Sequence, residues 1–172
     1  EAREFASAAR SILYLLLGAV GVPRGVLLRC DTGGRFRPIA AKGGARAAAR
    51  NAAARPAFAC SRDEADQLAH IQELVPAGDR RLPLALRTYL SEAELFQALP
   101  LVVRGRLAGL LGLGTRMNGA PLAPQEREAL ETLARYAAVL LNQHDLIQQL
   151  RAIADENLRL CETLANTYFD TV

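Results

Sequence analysis

The residues that could carry out chemistry are few and far apart in this sequence. The 172 residues include two histidines, three cysteines and no tryptophan. The wide separation of Cys30, Cys60 and Cys161 is typical of reduced cytosolic thiols rather than of a disulfide framework. His70 has no second candidate ligand near it in the sequence, so we predict no metal site. No Ser-His-Asp set, carboxylate pair or phosphate loop can be assembled, and we predict no catalytic residue.

Charge and hydropathy argue against two classes of partner. Residues 1–124 hold 17 Lys+Arg against 10 Asp+Glu, a balance of +7, and residues 125–172 hold 4 against 8, a balance of −4. The arginines are scattered, without the interleaved aromatic residues that stack on bases, so we interpret them as solvated surface rather than a nucleic-acid interface. The longest apolar run, 12–23, is too short to span a bilayer, so we expect no membrane contact. These features and the reduced cysteines favour a cytoplasmic protein.

The elements that must position any site begin with a helix and a hairpin. Apolar residues recur at three- and four-residue steps over residues 3–20, which predicts a helix that ends before Pro23. Two apolar stretches around Thr32-Gly33-Gly34 predict a β-hairpin over 26–41. Residues 45–56, almost all alanine and arginine, predict a further helix that Pro56 ends.

The middle of the chain carries the weakest pattern. We predict a strand at 58–60, a short helix at 63–74 begun by Ser61, a loop at 76–83 and one or two helical turns at 88–96. Residues 98–104 and 107–114 are clearer, because they are apolar runs joined by Gly105-Arg106 and therefore predict a tight hairpin. The second run contains Gly109, Gly112 and Gly114, which indicate close approach of another group to its backbone, either a packed helix or a bound ligand.

The last 48 residues predict one long helix, because neither glycine nor proline follows Pro124. At 1.5 Å per residue the helix measures about 70 Å, twice the roughly 35 Å diameter of the remaining body, so half of it should project. A 3-4 heptad pattern continues along the projecting half and predicts a homodimer through the terminal helices, with polar His144 and Arg151 in its seam. We expect the pairing to be parallel, because two domains attached after Val172 must emerge on the same side to be controlled together. The predicted seam residues are Leu140, His144, Ile147, Arg151, Leu158 and Cys161.

Residues 98–150 resemble GAF domains, a family of sensory modules. The resemblance is carried by the hairpin sequence from Leu99 to Gly114, by the segment from Pro121 to Ala134, and by the helix that follows. Ala123 stands where the family usually has serine or threonine. The resemblance implies an α/β (α+β) sandwich with a central antiparallel sheet of five or six strands and the first and last helices on one face. It also implies a sensory domain over 1–145 and a coiled-coil signalling helix over 146–172.

The resemblance implies a ligand between the sheet and the variable helices and loops. Arginine would pair with an anionic group and the aromatic rings would stack on a ligand ring, although these aromatic residues can equally fill the core. The cyclic-nucleotide motif of some family members needs Asn-Lys, and the only lysine, Lys42, follows Ala41. Bilin attachment is disfavoured because Cys60 is not followed by histidine, so the ligand or cofactor stays unknown. The predicted ligand-binding residues are Arg29, Phe58, Arg87, Tyr89 and Phe96.

Residues 156–172 resemble the helix that enters HD-GYP phosphodiesterase domains, which act on cyclic di-GMP. Linkers to diguanylate cyclase and histidine kinase domains look alike, so the output domain stays open. The chain starts within a helix and without methionine, and we expect it to be an excised fragment without enzyme activity of its own. Two functions remain, a ligand-binding sensory domain and a ligand-free structural dimerisation module. A sulfoxide reductase is disfavoured because Cys30 and Cys161 are too far apart to meet.

Overall fold

The computed structural model describes residues 2–43 and 58–170 and shows a six-stranded sheet between two layers of helices. In chain order, the described elements are α1 (Ala2–Val20), β1 (Gly25–Cys30), β2 (Arg35–Lys42), β3 (Phe58–Ala59), α2 (Arg62–Ala69), β4 (Val75–Pro76), α3 (Leu84–Glu92), β5 (Gln97–Val103), β6 (Arg106–Leu113) and α4 (Pro124–Asp170).

The strands lie in the order β3-β2-β1-β6-β5-β4, and every neighbouring pair is antiparallel. The predicted hairpins form β1–β2 and β5–β6, and β1 then pairs with β6, with Val26 opposite Gly112. The edge strands β3 and β4 are only two residues long. This sheet confirms the α/β sandwich and its central antiparallel sheet of six strands.

Alternating side chains give the sheet two buried faces, because successive residues of a strand point to opposite sides. On one face α1 and α4 pack together against Leu27 and Leu111. On the other face α2 and α3 cover Val26, Leu28 and Leu110. The first and last helices therefore share one face of the sheet, as predicted, and β1 contributes side chains to both cores.

The middle of the chain differs from its predicted elements. The helix predicted at 63–74 ends at Ala69, with His70 as its C-cap, because Ile71 and Leu74 turn into the core. Val75–Pro76 is an edge strand where a loop was predicted, and α3 begins at Leu84 instead of Thr88. The helix predicted at 45–56 lies outside the described residues.

The helix α4 is continuous over 47 residues, which confirms the predicted long helix. Its buried residues end at Leu141, and every residue from 146 to 170 is exposed. These 25 residues extend about 38 Å at 1.5 Å per residue. The side chain of Glu126 accepts a hydrogen bond from the Ala123 N–H at 3.2 Å, which supplies a cap at the helix start where Ala123 has no side-chain acceptor.

Candidate functional site

A cleft of about 480 Å³ opens at the end of the sheet where the β1–β2 and β5–β6 turns lie side by side. The two turns form two walls of the cleft, and α2 forms the third. A volume of this size lies within the range of small-molecule sites, about 300–1,000 Å³. The lining residues are Cys30, Asp31, Thr32, Gly33, Gly34, Cys60, Arg62, Ala65, Asp66, Ala69, Gly105, Arg106 and Leu107.

The β1–β2 turn that forms one wall is held by Asp31. Its Oδ1 accepts hydrogen bonds from the backbone N–H groups of Gly33 at 2.8 Å and Arg35 at 3.0 Å. Gly34 has φ +76°, and a Cβ there would lie 2.4 Å from the Cys60 carbonyl oxygen. The Cys60 N–H donates to the Gly34 carbonyl at 2.9 Å. Glycine is therefore required at 34, and the turn and the start of α2 form one rigid wall.

Three charged side chains around the cleft are available to a ligand. Arg62 and Asp66 lie four residues apart on α2, which places them on one helix face, and Arg106 faces them from the β5–β6 turn. None of the three forms a side-chain ion pair within residues 2–43 and 58–170. The α2 wall itself is fixed by a capping box, in which Ser61 and Glu64 exchange hydrogen bonds of 3.2 and 3.0 Å. The cleft thus offers two guanidinium groups and one carboxylate.

The floor of the cleft contains two buried thiols. Burial and, to a smaller extent, the nearby negative charge of Asp31 together raise the pKa of Cys30 to about 12. Burial likewise raises the pKa of Cys60 to about 11, with a smaller contribution from Glu64. Both thiols are therefore protonated at neutral pH and behave as small apolar groups. This state does not favour nucleophilic or redox chemistry at the cleft.

We expect Cys161 to react much faster than Cys30 and Cys60 with a thiol reagent at pH 8, because it is exposed and the other two are buried. A pKa raised by two or more lowers the thiolate fraction by about 100-fold or more. Iodoacetamide labelling followed by peptide mass spectrometry measures this difference. Cys161→Ser should remove the fast phase, and fast labelling of Cys30 or Cys60 in the folded protein would contradict the prediction.

The same thiols predict the direction of a pH dependence. The folded state holds their protons above the ordinary thiol pKa of 9.0, so it binds more protons than the unfolded chain at alkaline pH. Their contribution to stability is complete below about pH 9 and is lost as the pH rises through 11 and 12.

The structure brings together only part of the predicted ligand set. Phe58 stacks on Phe36 with ring centroids 4.5 Å apart, and Tyr89 tilts against Phe58 at 5.5 Å. Burial raises the pKa of Tyr89 to about 12. These rings belong to the core between the sheet and α2–α3, and they do not line the cleft. Phe58 and Tyr89 therefore pack within this core.

The other three predicted ligand residues do not line the cleft either. Arg29 points to the opposite face of the sheet, where its Nη2 lies 2.5 Å from Oδ1 of Asp145 on α4. Arg87 donates from Nε to the Leu82 carbonyl at 3.1 Å. Phe96 is 56% exposed and lies near β4, the edge strand at the opposite edge of the sheet from β3.

The predicted dimer seam begins on the face of α4 that the body already covers. Ala137 of the same heptad pattern is buried, and the His144 ring stacks on Phe5 of α1 with centroids 3.6 Å apart and planes 9° apart. His144 is therefore in contact with its own chain. Arg151 lies further along, where α4 is exposed. The remaining predicted seam residues, Leu140, Ile147, Leu158 and Cys161, are about half or more exposed.

Sequence reasoning missed the residues that shape the cleft, namely Asp31, Arg62, Asp66 and Arg106. Two signals were present: an acidic residue before Thr32-Gly33-Gly34 is typical of a side-chain-capped turn, and Ser61 three residues before Glu64 is a capping box. Within 2–43 and 58–170, no group of three or more His, Cys, Asp or Glu residues is placed to hold a metal ion. No helix among those residues is long and apolar enough to cross a membrane.

Comparison with known proteins identifies the fold family. The sequence matches the GAF domain family over residues 1–141, and the chain therefore belongs to that family. No curated protein sequence matched this chain.

Three solved structures illustrate the shared fold. A GAF domain/HD domain protein from Geobacter sulfurreducens has a TM-score of 0.60 at 19% identity, over 83% of this chain and 94% of that one. The blue-light absorbing form of the PixJ GAF domain from Thermosynechococcus elongatus has a TM-score of 0.55 at 15% identity, over 87% and 92%. The chromophore-binding domain of a Stigmatella aurantiaca bacteriophytochrome has a TM-score of 0.51 at 18% identity, over 80% and 54%.

Proposed function

We propose that this chain is the sensory GAF domain of a bacterial signal-transduction protein and that it relays ligand occupancy through a dimer of α4. One observation carries the proposal: α4 is a single helix that belongs to the sheet core and also extends well beyond it. Ala137 and Leu141 are buried against the sheet, whereas all residues from 146 to 170 are exposed. A shift of the buried half would therefore move the projecting half. Residues 1–145 form the sensory unit in this proposal, and 146–172 form the relay.

The cleft is the position that best fits a small-molecule ligand. A smaller cavity of about 30 Å³ adjoins it and shares Cys30, Asp31, Thr32, Arg106 and Leu107 with the cleft. This second cavity reaches Asn142, Asp145, Leu146 and Gln149 of α4. A ligand held by Arg106 would therefore lie one side chain away from the point where α4 leaves the body. The shared lining of the two cavities supports the proposal that a ligand bound in the cleft changes the position of α4.

The output that receives the signal is proposed from resemblance. Residues 156–172 resemble the entry helix of HD-GYP domains, and a protein of similar fold from Geobacter sulfurreducens is described as a GAF domain/HD domain protein. We therefore propose an HD-GYP-type phosphodiesterase that acts on cyclic di-GMP as the output domain. In this proposal the enzyme activity belongs to that domain.

Thermal unfolding in the presence of nucleotides, amino acids and organic acids tests whether the folded chain binds any of these compounds. A molecule that binds only the folded state stabilises it by about 2.7 kcal/mol at a hundredfold excess over its Kd. We expect the stabilisation to be reduced in Arg106→Gln and Arg62→Gln and kept in Arg80→Gln, an exposed arginine outside the cleft. A broad screen without any stabilisation would favour a ligand-free structural dimerisation module.

A further inference from the structure

A second apolar stripe runs along α4 on its outer face. Its members follow alternating four- and three-residue steps from 139 to 164, with polar Gln143 and Asn157 at two of the steps. The apolar members are well exposed: Val139 41%, Leu146 46%, Leu150 65%, Ile153 57%, Leu160 55% and Leu164 68%. We call these eight positions the outer stripe. An isolated helix cannot bury it.

The outer stripe points away from the body. With 3.6 residues per turn, its positions lie roughly 140° around the helix from buried Leu130, Ala134 and Leu141. No part of the described chain covers it, because all six apolar members are at least 41% exposed. The stripe through His144 differs, since it begins at buried Ala137 and runs beside Phe5 of α1. Both stripes satisfy heptad spacing, but only the outer stripe is accessible along its whole length.

We propose that the outer stripe is the seam of a parallel, in-register, two-stranded coiled coil with a second copy of this chain. The inference rests on the dimerisation in the proposed function and names the surface that performs it. In heptad terms Gln143, Leu150, Asn157 and Leu164 occupy a positions, and Val139, Leu146, Ile153 and Leu160 occupy d positions. Leu140, Ile147 and Cys161 then lie at e positions and flank the seam, whereas Leu158 lies at b and faces outward.

Asn157 determines the partner and its orientation. In a parallel in-register pair each a position faces the same residue of the other chain, so two Asn157 amides meet and can hydrogen-bond to each other. In an antiparallel pair a positions face d positions, and every d position from 139 to 160 is apolar. That arrangement would bury the amide without a partner, at a cost of about 1–3 kcal/mol for each amide. The stripe is therefore complementary to a parallel copy of itself.

Sedimentation equilibrium of the 172-residue chain tests the surface with a matched pair of variants. Leu160 and Leu158 are 55% and 60% exposed and lie two residues apart. We expect Leu160→Glu to weaken the dimer by at least roughly 100-fold, because it places a charge in the seam, and Leu158→Glu to change it by less than about threefold. Circular dichroism should show the same helix content for both variants.

Disulfide trapping tests the orientation. In a Cys161→Ser background, Leu160→Cys places two thiols face to face only in a parallel in-register pair, and oxidised glutathione should cross-link them. Leu158→Cys in the same background should remain uncross-linked.

The outcomes separate this inference from the proposed function. A monomeric wild-type chain at tens of micromolar would overturn both the seam and the proposed dimer. A wild-type dimer that tolerates Leu160→Glu but is lost in Leu158→Glu would overturn the outer stripe alone. A dimer that is sensitive to Leu160→Glu but gives no Leu160→Cys cross-link would overturn the parallel orientation.

Discussion

Gly109→Ala is expected to destabilise the folded chain by at least about 3 kcal/mol, a large fraction of the 5–15 kcal/mol of a typical domain. A Cβ at this position would lie 2.2 Å from the Leu28 carbonyl oxygen and 3.3 Å from a methyl of Leu141. The first neighbour is the backbone of β1, which cannot move without disturbing the β1–β6 pairing. The second neighbour is the last buried residue of α4. One methyl group at Gly109 therefore strains both the centre of the sheet and the docking of the helix.

Gly18→Ala provides the matched control for Gly109→Ala. Gly18 lies inside α1, and no atom comes within 4 Å of a Cβ placed there. Alanine is the better helix former, so this change should stabilise the protein by up to about 1 kcal/mol. Urea unfolding followed by circular dichroism measures both values. Equal stability of Gly109→Ala and wild type would show that β6 does not approach β1 and α4 this closely.

The second large loss of folding stability is expected when the ion pair between Arg29 and Asp145 is broken. Their side chains are only 33% and 21% exposed, and Nη2 lies 2.5 Å from Oδ1. Burial raises the pKa of Asp145, and the attraction of Arg29 offsets only part of that effect. Asp145→Ala should therefore cost about 2 kcal/mol, because it leaves the guanidinium partly buried without its carboxylate. Asp155→Ala, on the exposed part of the same helix, should change stability by less than about 0.5 kcal/mol.

A double-mutant cycle shows whether the Arg29–Asp145 contact or its burial controls stability. Arg29→Met with Asp145→Leu replaces both charges by apolar groups, and such replacements of buried pairs are often neutral or stabilising. We expect the double variant to regain most of the stability lost in the single variant Asp145→Leu, which leaves the guanidinium without its carboxylate just as Asp145→Ala does. Hydrogen exchange of the amides of residues 142–149 should speed up in the single variant and return in the double variant. A double variant as unstable as the sum of both single changes would contradict this account.

Much of the fold follows from local sequence signals. Gly21 and Pro23 end α1, the Thr32-Gly33-Gly34 turn sets the first hairpin, and Gly105 sets the second. These signals act through backbone geometry, so they need no knowledge of distant residues. The middle of the chain could not be predicted in the same way. Ile71 and Leu74 fit a helix pattern locally, and only their burial gives them their observed structure, Ile71 in the core beneath α2 and α3 and Leu74 in the core beneath α1 and α4.

The site residues depended on tertiary placement. Alternation along β1 implies that Arg29 and Cys30 face opposite sides of the sheet, but which side carries the cleft is set by α2 and the β5–β6 turn. Heptad spacing in α4 fits two stripes equally well, and spacing alone cannot choose between them. The stacking of His144 on Phe5 separates them, because it depends on where the body packs, and it supports the proposal that the outer stripe is the seam.

The short edge strands limit how two copies of this sheet can meet. A sheet edge that keeps its N–H and C=O groups free is a template for strand addition and aggregation. Here the edge strand β4 and the two long strands next to the edges, β2 and β5, each contain a proline, at Pro76, Pro38 and Pro100. Proline removes a donor from any ladder that a foreign strand would need to complete. The sheet is thereby a poor surface for self-recognition, which favours the helices as the contact surface of the proposed dimer.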